Sequence, residues 1–400
     1  MAFRLYRTTR RLYGQVEGAL RRLHVVPLLQ DHPTLCGLLA LYVTGLLLLE
    51  ARPTQPRISE RLPARSHDAL NRLLRTMPWS TRALMRGLIA FTGGLSQRLG
   101  RAGHLMVDDV VSEKPFAKRL PWAAWTYSFA KKRKVYGCHV VLVSWSSDSR
   151  GTWRIPVAFR LWRPKGSCAP ERYQKKTELV VTMLRELVTG GCPGAYLVGD
   201  TAYTGGIVSK TAARLGLTWV GTLAPRTTVV YRGQRQAVRD LAACLRLKWR
   251  PQLGLRAVAL SVYAPALGPV KLVVLKNRHG NFEYLVTNAL ATDLTELVHR
   301  KRSRWRIETI FRDSKQLAGL GACQCWVDQA FVRHVALVFL TFAVLQVLRR
   351  DPQETVGAVK ARWQSEVLRD GQPPPLPLRA APLEFRRRRT ASEFPPNRTA

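Results

Sequence analysis

The order of apolar runs between residues 104 and 223 restricts the fold of this chain more than any other feature of its sequence. Short runs of strand length, bounded by turn residues, alternate there with amphipathic stretches of helical period. Three strands come first, and a helix, a strand, a second helix and a last strand follow. The predicted strands are 104–110, 139–145, 153–162, 195–198 and 218–223, and the predicted helices are 177–188 and 207–215. This order predicts a mixed α/β fold.

Beyond residue 223 the chain is first rich in strand signals and then helical. Four short runs of β type lie between residues 224 and 290, and the turn sequence Asn-Arg-His-Gly-Asn separates the last two. Two stretches of helical period then predict one helix over 294–317 and another over 331–348.

The first 100 residues read as a helical region of their own. Arg and Leu recur there at helical spacing, and prolines divide the pattern into several pieces. A compact, Arg-rich helical domain at 1–100 is compatible with DNA binding, and equally with a packing domain that has a basic surface. The apolar stretches 35–49 and 335–345 are shorter than the ~20 residues that span a membrane, so we expect two buried helices.

The last 50 residues have a composition that cannot form a core. They hold eight of the 24 prolines and an unbroken run of arginines at 386–389. A low apolar content with many prolines and charges is typical of disordered segments. The sequence therefore predicts a disordered tail over 351–400.

The charge of the chain is strongly one-sided. Lys and Arg together number 64 and Asp and Glu 26, which gives a formal net charge of +38. That excess excludes an acidic disordered chain and is unusual for a metabolic enzyme. It favours a polyanionic partner, with nucleic acid first and an anionic membrane second. We expect DNA as the partner and no membrane.

The seven cysteines include no Cys-x-x-Cys pair, so they predict neither a zinc site nor a disulfide framework. The eight histidines have no metal-ligand spacing either. Reduced thiols and an N-terminal segment without an apolar signal region favour the cytoplasm, in association with the nucleoid.

Three carboxylates stand out against this basic background. Asp109 and Asp200 each end an apolar strand, and Glu308 lies on a predicted helix. A single aspartate at a strand end is weak evidence, because such residues are also common caps. Carboxylate oxygens are the ligands that Mg²⁺ prefers, and two such ions about 4 Å apart promote displacement at a phosphate. The three acids together predict a phosphoryl-transfer site.

The helix around Glu308 carries cations on the same face as its carboxylate. Successive residues turn by about 100°, which places Arg304, Lys315 and Lys301 within about 60° of one another beside this carboxylate. Apolar residues occupy a separate stripe. Taken alone, the pattern fits a solvated helix face with an Arg304–Glu308 pair equally well.

The segment 304–308 (Arg-Trp-Arg-Ile-Glu), continued to Lys315, resembles the third catalytic motif of DDE transposases of bacterial insertion sequences. The subgroup is the one with a Tyr-Arg-Glu-Lys signature, spaced Tyr, two residues, Arg, three residues, Glu, six residues and Lys. Arg304, Glu308 and Lys315 match this spacing. The tyrosine position falls on Lys301.

Two further segments resemble the other motifs of that family. Leu-Val-Gly-Asp-Thr-Ala-Tyr at 197–203 is similar to the second, in which a strand delivers the middle aspartate, here Asp200. Leu-Met-Val-Asp-Asp at 105–109 is similar to the first, in which threonine usually follows the second acid and Val110 stands here. This alignment favours Asp109 over Asp108 as the first acid and leaves Asp108 as the alternative.

The resemblance covers about residues 100–348 and implies a ribonuclease H-like mixed sheet with flanking helices. The implied catalytic core, 101–223 and 291–350, is interrupted by a β-rich insertion at 224–290. The implied function is metal-dependent cleavage of DNA at transposon ends and strand transfer into target DNA. The family also implies a homodimer in the complex with DNA.

The same resemblance implies a role for each residue of the site. The implied ligands of two Mg²⁺ ions, which Mn²⁺ can replace, are Asp109, Asp200 and Glu308. Arg304 and Lys315 would hold phosphates near the cut. Lys301 keeps a donor that reaches phosphate but lacks an aromatic hydroxyl.

Aromatic residues lie among the cations at two places. Trp305 lies at the edge of the cationic helix face, where it could stack on a displaced base or pack in the protein. The segment 114–134 interleaves seven cations with five aromatic residues. That composition is typical of a groove that stacks bases, and it fits a protein core equally well.

Two other functions stay open at this point. A decayed transposase would bind DNA without cutting it; Lys301 and Val110 keep this alternative open, and the intact set of three acids argues against it. A structure-specific nuclease on the same core would cut DNA without strand transfer.

Overall fold

The computed structural model describes residues 7–26, 32–50, 53–117, 120, 122–128, 131–147, 152–325 and 327–369. Within these ranges the chain has twelve α-helices and twelve β-strands. The helices are α1 (Arg7–Arg22), α2 (Pro33–Leu48), α3 (Gln55–Arg61), α4 (His67–Arg75), α5 (Thr81–Leu99), α6 (Lys176–Thr189), α7 (Gly206–Arg214), α8 (Val238–Ala243), α9 (Leu294–Ser303), α10 (Trp305–Leu317), α11 (Asp328–Val347) and α12 (Val356–Arg369). The strands are β1 (Gly103–Glu113), β2 (Ala123–Ser128), β3 (Arg133–Ser146), β4 (Arg154–Trp162), β5 (Gly194–Val198), β6 (Thr218–Thr222), β7 (Thr228–Tyr231), β8 (Gln234–Ala237), β9 (Lys248–Arg250), β10 (Leu255–Ala264), β11 (Gly268–Lys276) and β12 (Phe282–Thr287).

The strands form one mixed sheet, so the predicted α/β class is confirmed. Its order is β2-β3-β1-β5-β6-β12-β11-β10-β7-β8, with β4 paired to β3 and β9 to β10. β1, β5 and β6 run parallel, whereas β1 and β3 are antiparallel. The strands of the β-rich segment join this sheet through β12, which pairs with β6. They therefore extend the central sheet.

The two most apolar helices, α2 and α11, are buried along almost their whole length. By length and composition α11 could cross a membrane, but 94% of its apolar window is buried inside the protein. One hydrophobic core joins the helices of the first 100 residues to α10, α11 and α12. Both apolar stretches are thus core helices, as the sequence predicts.

The helix predicted over 294–317 is divided in two at Arg304. The amide of Arg304 donates to the Lys301 carbonyl at 3.1 Å, and the amide of Ile307 donates to the Arg304 carbonyl at 2.9 Å. These are the i to i−3 bonds of a 3-10 turn, so the prediction of one continuous helix is wrong. The tighter turn places Arg304 just before α10, one turn ahead of Glu308.

The predicted disordered tail begins with a helix. The apolar side chains that α12 buries are Val356, Val359, Trp363 and Val367. Lys360 is buried as well, and its ammonium donates to carbonyls at the C-terminal ends of α2 and α10. Because this packing orders the segment, the prediction is wrong for residues 356–369. Residues 370–400 lie outside the described residues.

His334 lies fully buried in α11 and is bonded through both ring nitrogens. Its Nδ1 accepts from the Tyr42 hydroxyl at 2.8 Å, and its Nε2 donates to the Gly319 carbonyl at 2.9 Å. Burial lowers the pKa of His334 to about 4. Because the unfolded pKa is about 6.5, protons bind the unfolded chain first as pH falls. We expect this residue to reduce the free energy of unfolding by about 2–3 kcal/mol between pH 7 and pH 4.5.

The matched change is His334→Gln, because the amide does not titrate and offers one acceptor and one donor. Urea unfolding at both pH values should show a loss that is smaller in the variant by about 2–3 kcal/mol. His279→Gln is the control, since the side chain of His279 is exposed in the folded chain. Equal losses for wild type and His334→Gln would contradict this account.

Candidate active site

Two adjacent aspartates lie in the middle of β1, an interior strand of the sheet. In the pairing of β1 with β3, Asp108 lies opposite Leu142 and Asp109 lies opposite Val141. Successive side chains of a strand point to opposite faces. The two carboxylates therefore lie on different sides of the sheet and belong to different sets of contacts.

The carboxylate of Asp108 faces α10. Arg304 Nη1 donates to Asp108 Oδ2 at 2.7 Å, and Arg304 Nη2 donates to Glu308 Oε1 at 2.7 Å. The pair of Arg304 and Glu308 that the sequence predicts is present, with Asp108 as a further partner. One guanidinium thus bridges two carboxylates and ties α10 to β1.

Asp108, Asp200 and Glu308 share one electrostatic environment. Burial raises the pKa of Asp108 to about 7; Arg304 opposes this shift, and the nearby carboxylate of Asp200 adds to it. Lys301 is close enough to feel both Asp200 and Glu308. Asp108 therefore lies near both other carboxylates, because it shares Arg304 with Glu308 and feels the charge of Asp200.

Asp200 follows β5 directly and lies in a tight turn. Its Oδ1 accepts from the amides of Ala202 at 2.9 Å and Tyr203 at 3.3 Å. The hydroxyl of Thr204 donates to the Asp200 carbonyl at 2.6 Å. An aspartate that accepts from backbone amides two and three residues on forms an Asx turn. This turn fixes the Asp200 carboxylate at the carboxyl end of β5, beside its parallel neighbour β1.

Asp109 lies on the opposite face of β1, where three donors surround it. Its Oδ2 lies 2.8 Å from His139 Nδ1 and 2.7 Å from Lys176 Nζ. The Tyr203 hydroxyl donates to its Oδ1 at 2.7 Å. Burial opposes ionisation, but these bonds outweigh it and hold the pKa of Asp109 well below its usual range.

Tyr203 joins the two segments that carry the aspartates. Its hydroxyl donates to Asp109, and its amide donates to Asp200. On the other side of Asp109, His139 Nε2 lies 2.8 Å from the Thr126 hydroxyl on β2. A polar network therefore runs from the edge strand β2 to the turn after β5, and it fixes the position of β1 between them.

The cations predicted to bind DNA lie at the two ends of α10. Lys301 lies just before it and pairs with Glu283 of β12, and burial lowers the pKa of Lys301 to about 8. Lys315 lies in the last turn of α10, where burial lowers its pKa and the carboxylate of Glu113 counteracts the shift. Trp305 begins α10 and is exposed over 57% of its surface, so it is not a core residue.

The site offers the oxygen ligands of a hard cation, but a guanidinium lies among them. In the described part of the chain, no three carboxylate, imidazole or thiol groups lie close enough to hold one ion. Arg304 bridges Asp108 and Glu308 instead. Carboxylate oxygens are ligands that suit Mg²⁺. A cation close to a buried carboxylate with a raised pKa stabilises the charged form of that carboxylate. The chemistry of these donors, carboxylate oxygens, therefore suits a divalent ion, while in the structure Arg304 supplies the positive charge beside Asp108 and Glu308.

Sequence reasoning missed four residues of this site. His139, Lys176 and Tyr203 form the network on the far face of β1, and Glu283 holds Lys301. Tyr203 stands in the second motif-like segment, three residues after Asp200, and this position was the one available signal. The other three residues lie in segments whose local pattern carries no sign of the contact.

Comparisons with known proteins add two structural likenesses. The piggyBac transposase synaptic complex with hairpin DNA has a TM-score of 0.49 and 12% identity, over 86% of this chain and 72% of that chain. The NurA nuclease from Sulfolobus solfataricus has a TM-score of 0.28 and 11% identity, over 51% of this chain and 72% of that chain. A comparison with curated proteins found no match.

The family comparison covers the two strand-borne aspartates of the site. The family described as DDE superfamily endonuclease matches residues 28–243, which is more than half of the chain. This range includes Asp108 and Asp200 and ends before Glu308. The match indicates an enzyme that cleaves nucleic acid. The chain belongs to the DDE superfamily endonucleases.

Proposed function

We propose that this chain is a DDE transposase, which cuts DNA at the ends of a mobile element and joins those ends to target DNA. The observation that carries the proposal is the bridge from Arg304 to Asp108 and Glu308, with the charge of Asp200 close to Asp108. Carboxylates from two parallel strands and a helix suit phosphodiester chemistry, because they can hold cations close to one phosphate. Family membership supports the cleavage step, and transposition is the finer part of the proposal.

The first acid of the proposed site is Asp108, in place of Asp109, which the motif alignment favours. Asp108 shares Arg304 with Glu308. Asp109 lies on the other face of β1 and already accepts from three donors, so it has little left to offer a cation. We therefore assign ligation to Asp108 and a positioning role to Asp109.

Mg²⁺ is the proposed cofactor, as two ions that Mn²⁺ can replace. Divalent ions bound here would activate the attacking oxygen and stabilise the leaving one. Asp108, Asp200 and Glu308 would hold them. In the structure Arg304 pairs with Asp108 and Glu308, and its guanidinium would become available to a DNA phosphate when these carboxylates ligate cations.

Lys301, Lys315 and Trp305 extend the proposed contact with DNA along α10. The eleven residue steps from Arg304 to Lys315 span about 16 Å of helix, which corresponds to about five base-pair steps. Several cations along one strand, in a chain of net charge +38, predict a DNA affinity that falls steeply with salt concentration.

The proposal also includes the subgroup of the family, the fold of the catalytic core and the oligomeric state. The spacing of Arg304, Glu308 and Lys315 supports the insertion-sequence subgroup with the Tyr-Arg-Glu-Lys signature. The parallel strands β1, β5 and β6 beside the antiparallel β3 support a ribonuclease H-like core, divided as 101–223 and 291–350 around the insertion. We further propose a homodimer in the DNA complex and action at the nucleoid in the cytoplasm.

Removal of divalent ions should stop the proposed cleavage. Purified chain should nick a supercoiled plasmid that carries the element's ends when Mg²⁺ is present, EDTA should abolish nicking, and fresh Mg²⁺ should restore it. Asp200→Ala, purified in the same way, is the control for contaminating nuclease and should still bind the ends in a gel shift. A folded chain that binds the ends but leaves them uncut in Mg²⁺ and Mn²⁺ would favour a decayed, DNA-binding protein.

A structure-specific nuclease is the second candidate, because the family that the chain belongs to is described as an endonuclease. The two functions differ after the first cut. A transposase should join pre-cleaved element ends to a target plasmid, and the joined products can be sequenced. Cutting without any joined product under these conditions would favour the nuclease.

A further inference from the structure

The hairpin of β2 and β3 carries exposed aromatic side chains at the edge of the sheet. Trp125 is exposed over 72% of its surface and Tyr127 over 48%. Trp125 lies opposite Tyr136 and Tyr127 lies opposite Lys134, so all four side chains share one face. The rings of Trp125 and Tyr136 meet edge to face, with centroids 5.7 Å apart. The hairpin therefore presents a small aromatic surface to solvent.

This aromatic face is continuous with the face that carries the proposed first acid. Every second residue of β3 from Tyr136 to Leu142 points to the same side, and Leu142 lies opposite Asp108. The six residue steps from Tyr136 to Leu142 span about 20 Å of strand. The aromatic rings thus lie on the side of Asp108 and Glu308, not on the side of Asp109.

Exposed cations lie at the turn of the hairpin, and Lys134 is opposite Tyr127. Residues 131–134 are Lys-Lys-Arg-Lys and are all exposed, and Lys131 pairs with Glu113 at 2.8 Å. A cavity of about 790 Å³ beside Lys131 reaches α10, and its lining includes Lys315 and Phe116. The ring of Phe116 is exposed over 88% of its surface. The cations of the hairpin turn therefore lie close to the rings in the chain, and one of them, Lys131, borders a cavity that extends to α10.

We propose that this face of the hairpin is a stacking platform for unpaired nucleotides of the DNA strand that the site cuts. Aromatic rings stack on bases of any sequence, while neighbouring cations hold the phosphate backbone. A second copy of the chain does not suit this face, because the cations at 131–134 would meet like charges. Tyr136 lies about 20 Å along β3 from the residue opposite Asp108, a length equal to about six base-pair steps of the duplex that would join the platform to the cut. The inference rests on the proposed function, since the bound strand is the substrate DNA.

The test measures binding of the full chain, in EDTA, to a labelled oligo(dT) of about 15 nucleotides and to a duplex of the same length. The double change Trp125→Ala and Tyr127→Ala should weaken binding of oligo(dT) about tenfold or more, and binding of the duplex much less. Trp125→Phe keeps a ring and should bind oligo(dT) nearly as well as wild type. Trp249→Ala is the matched control, because Trp249 is also exposed, over 47% of its surface, and lies on β9.

Two results would overturn the platform. In the first, the double variant binds oligo(dT) as tightly as Trp249→Ala does. In the second, the double variant loses as much affinity for the duplex as for oligo(dT). If the double variant dissociates in sedimentation but keeps its affinity for oligo(dT), the hairpin is a contact between copies of the chain. This result would overturn the platform too. Failure of the proposed function is a separate result. If wild type binds oligo(dT) through the hairpin but never nicks the plasmid, the platform stands and the transposase proposal fails.

Discussion

Replacing Asp108 by asparagine should lower the rate of DNA cleavage in Mg²⁺ by about 10³-fold or more. Asp108 is the β1 carboxylate on the side of Glu308 and Asp200, and an uncharged amide cannot supply its charge. A cation clamp contributes several kcal/mol to the transition state, and a loss of about 4 kcal/mol corresponds to about 10³ in rate. Single-turnover nicking of the plasmid measures this loss.

The same substitution should make the metal-free chain more stable. Burial raises the pKa of Asp108 to about 7, whereas the unfolded value is about 3.9. The folded chain therefore retains the proton longer, and stability is lost as pH rises from about 4 to about 7. At pH 8 in EDTA we expect Asp108→Asn to raise the free energy of unfolding by about 2–4 kcal/mol, with the gain shrinking toward pH 4.

Asp240→Asn is the matched control for both measurements. Asp240 is exposed and pairs with its neighbour Arg239 at 3.2 Å, so its loss should change cleavage and stability little. Cleavage by Asp108→Asn at the wild-type rate would exclude Asp108 from the site. A less stable Asp108→Asn chain at pH 8 would mean that Arg304 stabilises the charged carboxylate more than burial opposes it.

The strands and helices that carry the site could be predicted from the sequence because their signals are local. Apolar runs of strand length precede Asp109 and Asp200, and a helical period surrounds Glu308; both depend only on neighbouring residues. The break at Arg304 could not be predicted in this way. One 3-10 turn leaves the spacing of the apolar residues almost unchanged.

The choice between the two aspartates of β1 could not be made from the pattern of the strand. Leu105, Met106 and Val107 are all buried, because β1 is a central strand that is covered on both faces. Such a strand lacks the alternation of apolar and polar residues that marks an inner and an outer face. The two acidic positions therefore look equivalent in sequence, and the pairing with β3 and the position of α10 distinguish them.

The network behind the site depends on contacts between distant segments. His139, Lys176 and Tyr203 come from β3, α6 and the turn after β5, and polar contacts across such separations leave no periodic signal. The aromatic residues of β2 were ambiguous for a different reason. Trp and Tyr serve both cores and binding surfaces, so their composition could not show that Trp125 is exposed.

Replacing Asp109 by asparagine should destabilise the chain, in contrast to the change at Asp108. One oxygen of the Asp109 carboxylate contacts both His139 and Lys176, whose nitrogens are also 2.8 Å from each other. Without this anion the two nitrogens remain in contact with no negative charge beside them. Removing one partner of a buried ion pair costs about 3–5 kcal/mol. Because the Lys176 side chain is 27% exposed, we expect the free energy of unfolding to fall by about 2–3 kcal/mol.

The pH dependence of this loss identifies its cause. Burial opposes ionisation of Asp109, but its three donors outweigh burial and hold its pKa below the usual range. The stability it contributes is therefore present above the unfolded pKa of about 3.9 and is lost as pH falls below that value. In urea unfolding, the difference between wild type and Asp109→Asn should be constant from pH 8 to about pH 5 and shrink below about pH 4.

The change Tyr203→Phe measures what a neutral hydrogen bond contributes to stability, apart from the ion pair. It removes the hydroxyl that donates to Asp109 and keeps the ring. Its loss should be smaller, about 1–2 kcal/mol. The rate of cleavage distinguishes the roles of the two aspartates. Because Asp109 is assigned a positioning role, Asp109→Asn should retain measurable cleavage activity at a pH where the variant is folded. If Asp109→Asn is as stable as wild type at pH 7 but loses cleavage by about 10³-fold, then Asp109 ligates the metal and the assignment of Asp108 is wrong.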